Sequence, residues 1–271
     1  MKRFLFLIAA LASILQLNAQ QKNLSKPPAG SAAFIPKGFE LLDYETGDLN
    51  GDGRSDVVLV LKNVNEDSLD MDDAANNRPL LLLTRQADNK LKLAARNDEV
   101  IMCKQCGGVF GDPYEGITVG KNMLTINFYG GSAWRWGVEY KFKYDAAAKN
   151  WMLDKETDIY YHNADPDKMK TTVYTREELG SVTLSGMGAQ PGGCSAGTYK
   201  VIAPKAWFYD QPNLKSKPRK GYLLKGDVVN CNRQTASFVL VYYTNSKDQS
   251  SEGFILKKNL AVISEAKAVQ E

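Results

Sequence analysis

The chain has 271 residues, a formal net charge of +3 and 44% hydrophobic residues. This length is enough for one large or two modest domains, and the apolar content is enough for packed cores. A charge this close to neutral gives no electrostatic case for binding nucleic acid or an anionic membrane surface.

The N-terminal stretch MKRFLFLIAALASILQLNAQQ has the layout of a secretory signal. Two basic residues precede an apolar run that is too short for a permanent membrane anchor, and small and polar residues follow around Ala19. We predict a signal peptide at 1–19, no stable membrane insertion after its removal, and an exported chain that is periplasmic or extracellular. Loss of Lys2 and Arg3 lowers the formal charge from +3 to +1. A buried N-terminal helix is the alternative.

Residues 20–33 are rich in small, polar and Pro residues and predict a flexible leader, and residues 34–165 predict an antiparallel β domain. The runs DVVLVLKNV and RPLLLLTRQ are typical of buried strands, whereas NMLTINFYGG and WGVEYKFKYD alternate apolar and polar residues, as strands with one wet face do. Because only DAAAK separates VEYKFKY from NWMLDKETDIYY, these two runs predict a hairpin.

The segment GDLNGDGRSDVVLVLK, which begins at Gly47, suggests a metal loop. Four side chains at positions 1, 3, 5 and 9 of a tight turn would direct oxygens to one side, as a hard cation requires: Asp48, Asn50, Asp52 and Asp56. Arg54 at position 7 would contribute its carbonyl oxygen. The loop is not an EF-hand, because position 12 is Leu59 rather than a bidentate Glu.

This loop resembles the calcium loop of FG-GAP/VCBS-like (integrin α-type) repeats, whose pattern is D-x-D/N-x-D-G-x-x-D. The resemblance implies a structural Ca²⁺ that ties two strands together. Because the chain has one such loop, we expect no full propeller. The alternative is an Asx-stabilised turn without metal.

Four cysteines in an exported chain predict disulfides: Cys103, Cys106, Cys194 and Cys231. Three connectivities are open, and the simplest pairs 103 with 106 and 194 with 231. The Cys-x-x-Cys spacing also leaves a redox dithiol or half a zinc site as alternatives. A zinc site would need a second such pair, and GGVFGDP after Cys106 cannot begin the helix that a thioredoxin-type site requires.

The run FYGGSAWRWGVEYKFKY concentrates aromatic residues. If Trp134 and Trp136 share one open strand face, they can stack on sugar rings or bind a partner; the alternative, which is commoner in β domains, is that they fill the core. The single histidine, His162, has no nucleophile motif around it, so we predict neither catalytic residues nor a cofactor other than Ca²⁺.

Residues 166–196 hold few large apolar side chains after Leu184 and end in a Pro/Gly cluster, which predicts a linker with one helical turn at REEL. The runs TYKVI, AWFYD, DVVNCNR, FVLVYYT and EGFILKKN then predict a small β-barrel at 197–265, followed by a tail at 266–271. The fold class expected overall is mainly β.

The segments WFYDQP, GYLLKGD, FVLVYYT and EGFILKKNL resemble a bacterial SH3-like (SH3b) domain, with Phe254 where that family often has Trp. The resemblance implies a module that binds peptidoglycan peptides or other envelope ligands. Our first hypothesis is therefore a non-enzymatic, exported envelope protein that binds peptidoglycan or an envelope protein. The alternatives are a wall hydrolase, a dithiol oxidoreductase that uses Cys103 and Cys106, and an inhibitor or immunity-type protein.

Overall fold

The computed structural model describes residues 26–69, 76, 78–188 and 197–264, and in these residues the protein is mainly β with antiparallel sheets. The predicted signal peptide, the first part of the leader, the C-terminal tail and Cys194 lie outside the described residues. None of the helices in the described part of the chain is long and apolar enough to cross a membrane.

The first sheet has four antiparallel strands in the order β1-β2-β3-β4. They are β1 (Phe39–Gly47), β2 (Asp56–Asn63), β3 (Arg78–Arg85) and β4 (Leu91–Ile101). The two central strands are buried on both faces, which explains why their sequences are continuous apolar runs rather than alternating ones. The sequence prediction of two buried strands here is confirmed.

The second sheet has five antiparallel strands in the order β5-β6-β7-β8-β9. They are β5 (Tyr114–Gly120), β6 (Met123–Gly131), β7 (Trp134–Asp145), β8 (Asn150–His162) and β9 (Lys170–Thr175). The hairpin predicted from the DAAAK turn is confirmed, because β7 and β8 pair from Trp134↔His162 to Asp145↔Asn150.

The main core lies between these two sheets. Val60 and Leu82 of the first sheet belong to the same buried cluster as Ile126 and Phe142 of the second, and none of these four side chains is exposed. Each such apolar side chain contributes roughly 1.5–3 kcal/mol through its removal from water. The two sheets therefore form one packed unit, which we call the two-sheet unit.

The outer face of the first sheet is also covered. Val57, Leu59 and Leu83 point to this side and are fully buried, and Phe34 and Ile35 from the segment before β1 pack against them. The structure differs here from the expectation of a flexible leader up to residue 33, because Ser31 is fully buried and its hydroxyl donates to the Pro28 carbonyl oxygen at 2.7 Å. The described end of the leader is therefore part of the fold.

The segment predicted as a linker also belongs largely to the two-sheet unit. It contributes β9, the single α-helical turn α1 (Arg176–Leu179) at the predicted REEL, and Leu184 and Met187, which are buried in the main core. Asn97 of β4 holds this part of the segment in place by donating to the carbonyl oxygens of Leu184 and Met187 at 2.6 and 2.7 Å. The few apolar residues of this segment are enough to pack it against the two-sheet unit, because Leu184 and Met187 are buried in the main core.

The C-terminal unit has a five-stranded antiparallel sheet in the order β15-β14-β13-β10-β16 and a separate two-stranded ribbon, β11-β12. The strands are β10 (Thr198–Val201), β11 (Lys205–Trp207), β12 (Tyr222–Leu224), β13 (Val228–Gln234), β14 (Phe238–Thr244), β15 (Ser250–Leu256) and β16 (Leu260–Ser264). The small β-barrel predicted for this region is not closed by strand pairing among the described residues. The strand β12 lies within the segment GYLLKGD.

The C-terminal unit packs against the two-sheet unit through aromatic side chains. Tyr174 of β9 meets Phe254 of β15 edge to face at 5.9 Å, and Phe238 of β14 completes this buried cluster. One described 3-10 turn, Ala32–Phe34, precedes β1. The others lie between strands, at Glu66–Ser68, Pro166–Lys168, Leu184–Gly186 and Lys257–Asn259. The two units therefore share an apolar junction instead of a free joint.

Candidate functional site

The predicted metal loop is the turn between β1 and β2. Gly51 and Gly53 adopt φ values of 82° and 81°, which only glycine reaches without strain. The Asp48 carboxylate accepts the backbone N–H groups of Gly51, Asp52 and Gly53 at 2.7, 3.1 and 3.0 Å. Asn50 Oδ1 accepts the Asp52 N–H at 3.0 Å, so the side chains fold the loop around themselves.

The other two carboxylates of the loop have different environments. Asp52 accepts the backbone N–H of Arg54 and pairs with its guanidinium at 2.7 Å, and the backbone hydrogen bond lowers the pKa of Asp52. Asp56 is fully buried and accepts the N–H groups of Leu49 and Arg85 at 3.0 and 2.8 Å. Burial raises the pKa of Asp56 despite these two bonds. Asp56 therefore joins the loop to the end of β3.

These contacts bear on whether the loop fits Ca²⁺. No group of three or more His, Cys, Asp or Glu side chains is placed to hold a metal ion within the described ranges. The Asp48 and Asp56 oxygens face backbone N–H groups, and Arg54 occupies the Asp52 carboxylate. In this conformation the residues do not form a ready calcium site, because Ca²⁺ would have to replace Arg54 at Asp52. Calcium binding stays a prediction.

The loop is anchored to the second sheet by residues that the sequence analysis did not single out. Leu49 is fully buried in the main core, and its carbonyl oxygen accepts the indole N–H of Trp151 at 2.9 Å. The Asn122 backbone N–H donates to the Asp48 carbonyl oxygen at 2.9 Å. The apolar residue inside an otherwise polar loop was the one sequence signal for this anchoring.

Cys103 and Cys106 form a disulfide with a Cα–Cα distance of 5.2 Å, in the turn after β4. Among the described elements β5 comes next and no helix begins at Cys106, so the arrangement lacks the helix N-terminus that activates a thioredoxin-type thiol. Cys231 is also disulfide-bonded, and its predicted partner, Cys194, lies outside the described residues.

A buried arginine holds the disulfide loop against the first sheet. Arg78 has no exposed surface; it pairs with Glu66 at 2.5 and 2.9 Å and with Asp112 at 2.8 and 2.7 Å, and it donates to the Met102 carbonyl oxygen. Burial alone would lower the pKa of Arg78, but the hydrogen bonds to Asp112 and Glu66 raise it. An arginine directly before the apolar run PLLLL was the available sequence signal.

The two predicted partner-binding tryptophans lie at different depths. Trp134 is 51% exposed and stacks on Tyr160 with a centroid distance of 5.1 Å, whereas Trp136 packs against the edge of the main core. His162 contacts the Trp134 ring edge to face, and its Nδ1 accepts the Ala164 N–H at 3.2 Å. The histidine thus belongs to an aromatic cluster and forms no contact with a nucleophile in the described structure.

The ribbon of the C-terminal unit presents a second aromatic surface. The register Lys205↔Leu224, Ala206↔Leu223 and Trp207↔Tyr222 buries the middle pair and turns the outer pairs to the opposite side. We call this side the ribbon face; it consists of Lys205, Trp207, Tyr222 and Leu224. Tyr222 and Leu224 are 40% and 54% exposed, and Trp207 is half-buried.

The ribbon face carries a positive charge beside its two aromatic rings. Lys205 Nζ lies 4.4 Å from the Tyr222 ring centroid and 5.8 Å from that of Trp207, and these rings meet edge to face at 4.8 Å. Arg219 donates to the Asp210 carboxylate and to the Glu252 carbonyl oxygen, and these bonds hold the loop between β11 and β12 in place. Exposed lysines on and around this loop add further positive charge: Lys215, Lys217, Lys220 and Lys225. The surface therefore combines aromatic rings with an excess of cations.

No protein-family model matches the chain, and neither a curated protein nor a solved structure matches it. The function is therefore inferred from the side chains and contacts of this chain alone.

Proposed function

We propose that this protein is an exported, non-enzymatic envelope protein whose C-terminal unit binds peptidoglycan through the ribbon face. The observation that carries the proposal is the pairing of half-buried Trp207 with exposed Tyr222 around Lys205. Aromatic rings offer large contact area at low conformational cost, and a cation beside them selects an anionic group. The stem peptides of peptidoglycan carry carboxylates, which is the complementary charge.

The architecture of the C-terminal unit supports the SH3-like interpretation. One core, which includes Val229, Val241 and Ile255, is shared by the five-stranded sheet and the ribbon. Phe254, which stands where the resembled family often has Trp, is 1% exposed and packs in the junction with the two-sheet unit. This position is therefore unsuited to ligand contact, and the proposal assigns binding to the ribbon face.

The proposal gives the two-sheet unit a supporting role. Its turn at Asp48, with Ca²⁺ as the proposed structural ion, and its Cys103–Cys106 disulfide both hold loops in place. The oxidoreductase alternative ranks lower because no activating helix begins at the disulfide turn in the described residues. The hydrolase alternative ranks lower because His162 is packed against Trp134.

The experiment is co-sedimentation of the full mature chain with purified peptidoglycan, comparing the natural protein with Trp207→Ala and Trp134→Ala. We expect Trp207→Ala to weaken binding roughly tenfold or more, which corresponds to about 1.4 kcal/mol, because a central aromatic contact is lost. Trp134→Ala removes an exposed tryptophan from the two-sheet unit and is the matched control. Unchanged pelleting of Trp207→Ala, or absence of pelleting by the natural protein, would overturn the proposal.

A further inference from the structure

One arginine crosses the junction between the two units. Arg233 of β13 forms a two-point ion pair with Glu156 of β8, at 2.7 and 2.6 Å, and its Nη1 lies 3.3 Å from Asp158 Oδ2. The guanidinium also stacks over the Tyr174 ring at 4.0 Å. Glu156 is 2% exposed and Arg233 is 14% exposed, so this contact is shielded from solvent.

The cluster is short of positive charge when both carboxylates are ionised. Two carboxylates then share one guanidinium, and Asp158 Oδ1 is buried without a hydrogen-bond partner in the described structure. A proton on Asp158 removes the excess charge. Burial, together with the neighbouring Glu156 carboxylate, raises the pKa of Asp158 to about 7, against the opposing effect of Arg233.

The groups around Asp158 come from four strands. Glu156 precedes it on β8, Tyr140 faces it from β7, Tyr174 from β9 and Arg233 from β13. His162 lies further along β8, against Trp134. Three more charged residues lie at the edges of the junction. Lys170 pairs with Glu252, and Glu178 accepts a hydrogen bond from Thr235.

We propose that Glu156, Asp158 and Arg233 form a proton-dependent lock between the two-sheet unit and the C-terminal unit. With Asp158 protonated, one carboxylate faces one guanidinium and the junction is tight. With Asp158 ionised, the excess negative charge weakens the junction.

The direction of the pH dependence follows from the raised pKa of Asp158. The stabilisation is fully present below the ordinary pKa of an aspartate, about 3.9, and is lost as the pH rises through about 7. One linked proton changes the folding equilibrium constant by roughly tenfold per pH unit inside this window. The lock therefore loosens as conditions change from acidic to neutral, and the loss levels off in alkaline conditions.

The test compares the full mature chain with Asp158→Asn and Asp154→Asn from pH 5 to 8.5. Urea unfolding gives the folding constant. Amide exchange of Ala236, corrected for its intrinsic rate, reports local opening of the junction, because the Ala236 N–H donates to the Glu178 carbonyl oxygen across it. In the natural protein and in Asp154→Asn, the folding constant should fall by up to about tenfold per pH unit as the pH rises to 7. In Asp158→Asn this fall should be absent. Equal pH dependence in Asp158→Asn and the natural protein would overturn the lock.

Two further variants keep the test decisive. Glu156→Gln leaves Asp158 as the only carboxylate in the cluster with Arg233, so the fall of the folding constant towards neutral pH should disappear in this variant too. This result can be read even if Asp158→Asn fails to fold. His162→Gln should keep the fall, because the histidine contacts Trp134 rather than the lock. If the fall disappears in His162→Gln and persists in Glu156→Gln, the lock is wrong. None of these measurements uses a ligand, so their outcome is separate from that of peptidoglycan binding.

Discussion

Arg78 carries the most deeply buried charge among the described basic residues. Its guanidinium is enclosed by Glu66, Asp112 and the Met102 carbonyl oxygen, and it fixes the disulfide turn to β3. Removal of Arg78 leaves the buried Glu66 carboxylate without its ion-pair partner, which costs more than the pair itself contributes. Arg78 is therefore one of the side chains that hold the disulfide turn in place, together with Gln105, which donates to the Leu69 carbonyl oxygen.

We expect Arg78→Met to lower the free energy of unfolding by about 3–5 kcal/mol, because Glu66 and Asp112 lose their common partner. Arg96→Met is the control, since Arg96 pairs with Asp98 on the surface with both side chains 44% exposed. Its cost should be at most about 1 kcal/mol. Urea unfolding of both variants measures the difference, and similar costs for the two would contradict this role of Arg78.

At the scale of elements, the turn between β1 and β2 shows what its sequence could and could not predict. The oxygens at alternate positions and the glycines with positive φ follow directly from the pattern. The backbone partners of Asp48 and the ion pair of Arg54 with Asp52 depend on the folded turn. A sequence pattern gives the ligand types, and the packing decides whether their oxygens are free.

Calcium binding by this turn has a direct test in thermal and urea unfolding with Ca²⁺ or EDTA. If Ca²⁺ binds the folded loop, a concentration about 100 times Kd stabilises the natural protein by about 2.7 kcal/mol. Asp48→Asn should lose most of this gain, whereas Asp88→Asn, in the exposed turn after β3, should keep it. Equal stability in Ca²⁺ and EDTA would show that the turn is held by its own hydrogen bonds.

At the scale of the whole molecule, the strands were more predictable than their assembly. Alternating and continuous apolar runs identify β2, β3, β6 and β7 because burial of a strand face leaves a local pattern. The role of β9 was missed, since Tyr174 is buried against a unit that follows much later in the chain. The Arg233 contact with Glu156 has the same long-range origin.

The most direct measurement of peptidoglycan binding by the ribbon face is hydrogen exchange of the full mature chain with soluble peptidoglycan fragments that carry free stem-peptide carboxylates. We predict slower exchange in β11 and β12, at 205–207 and 222–224, with little change around Trp134 and Tyr160. Protection around Trp134 with an unchanged ribbon, or no protection at saturating fragment, would contradict binding through the ribbon face.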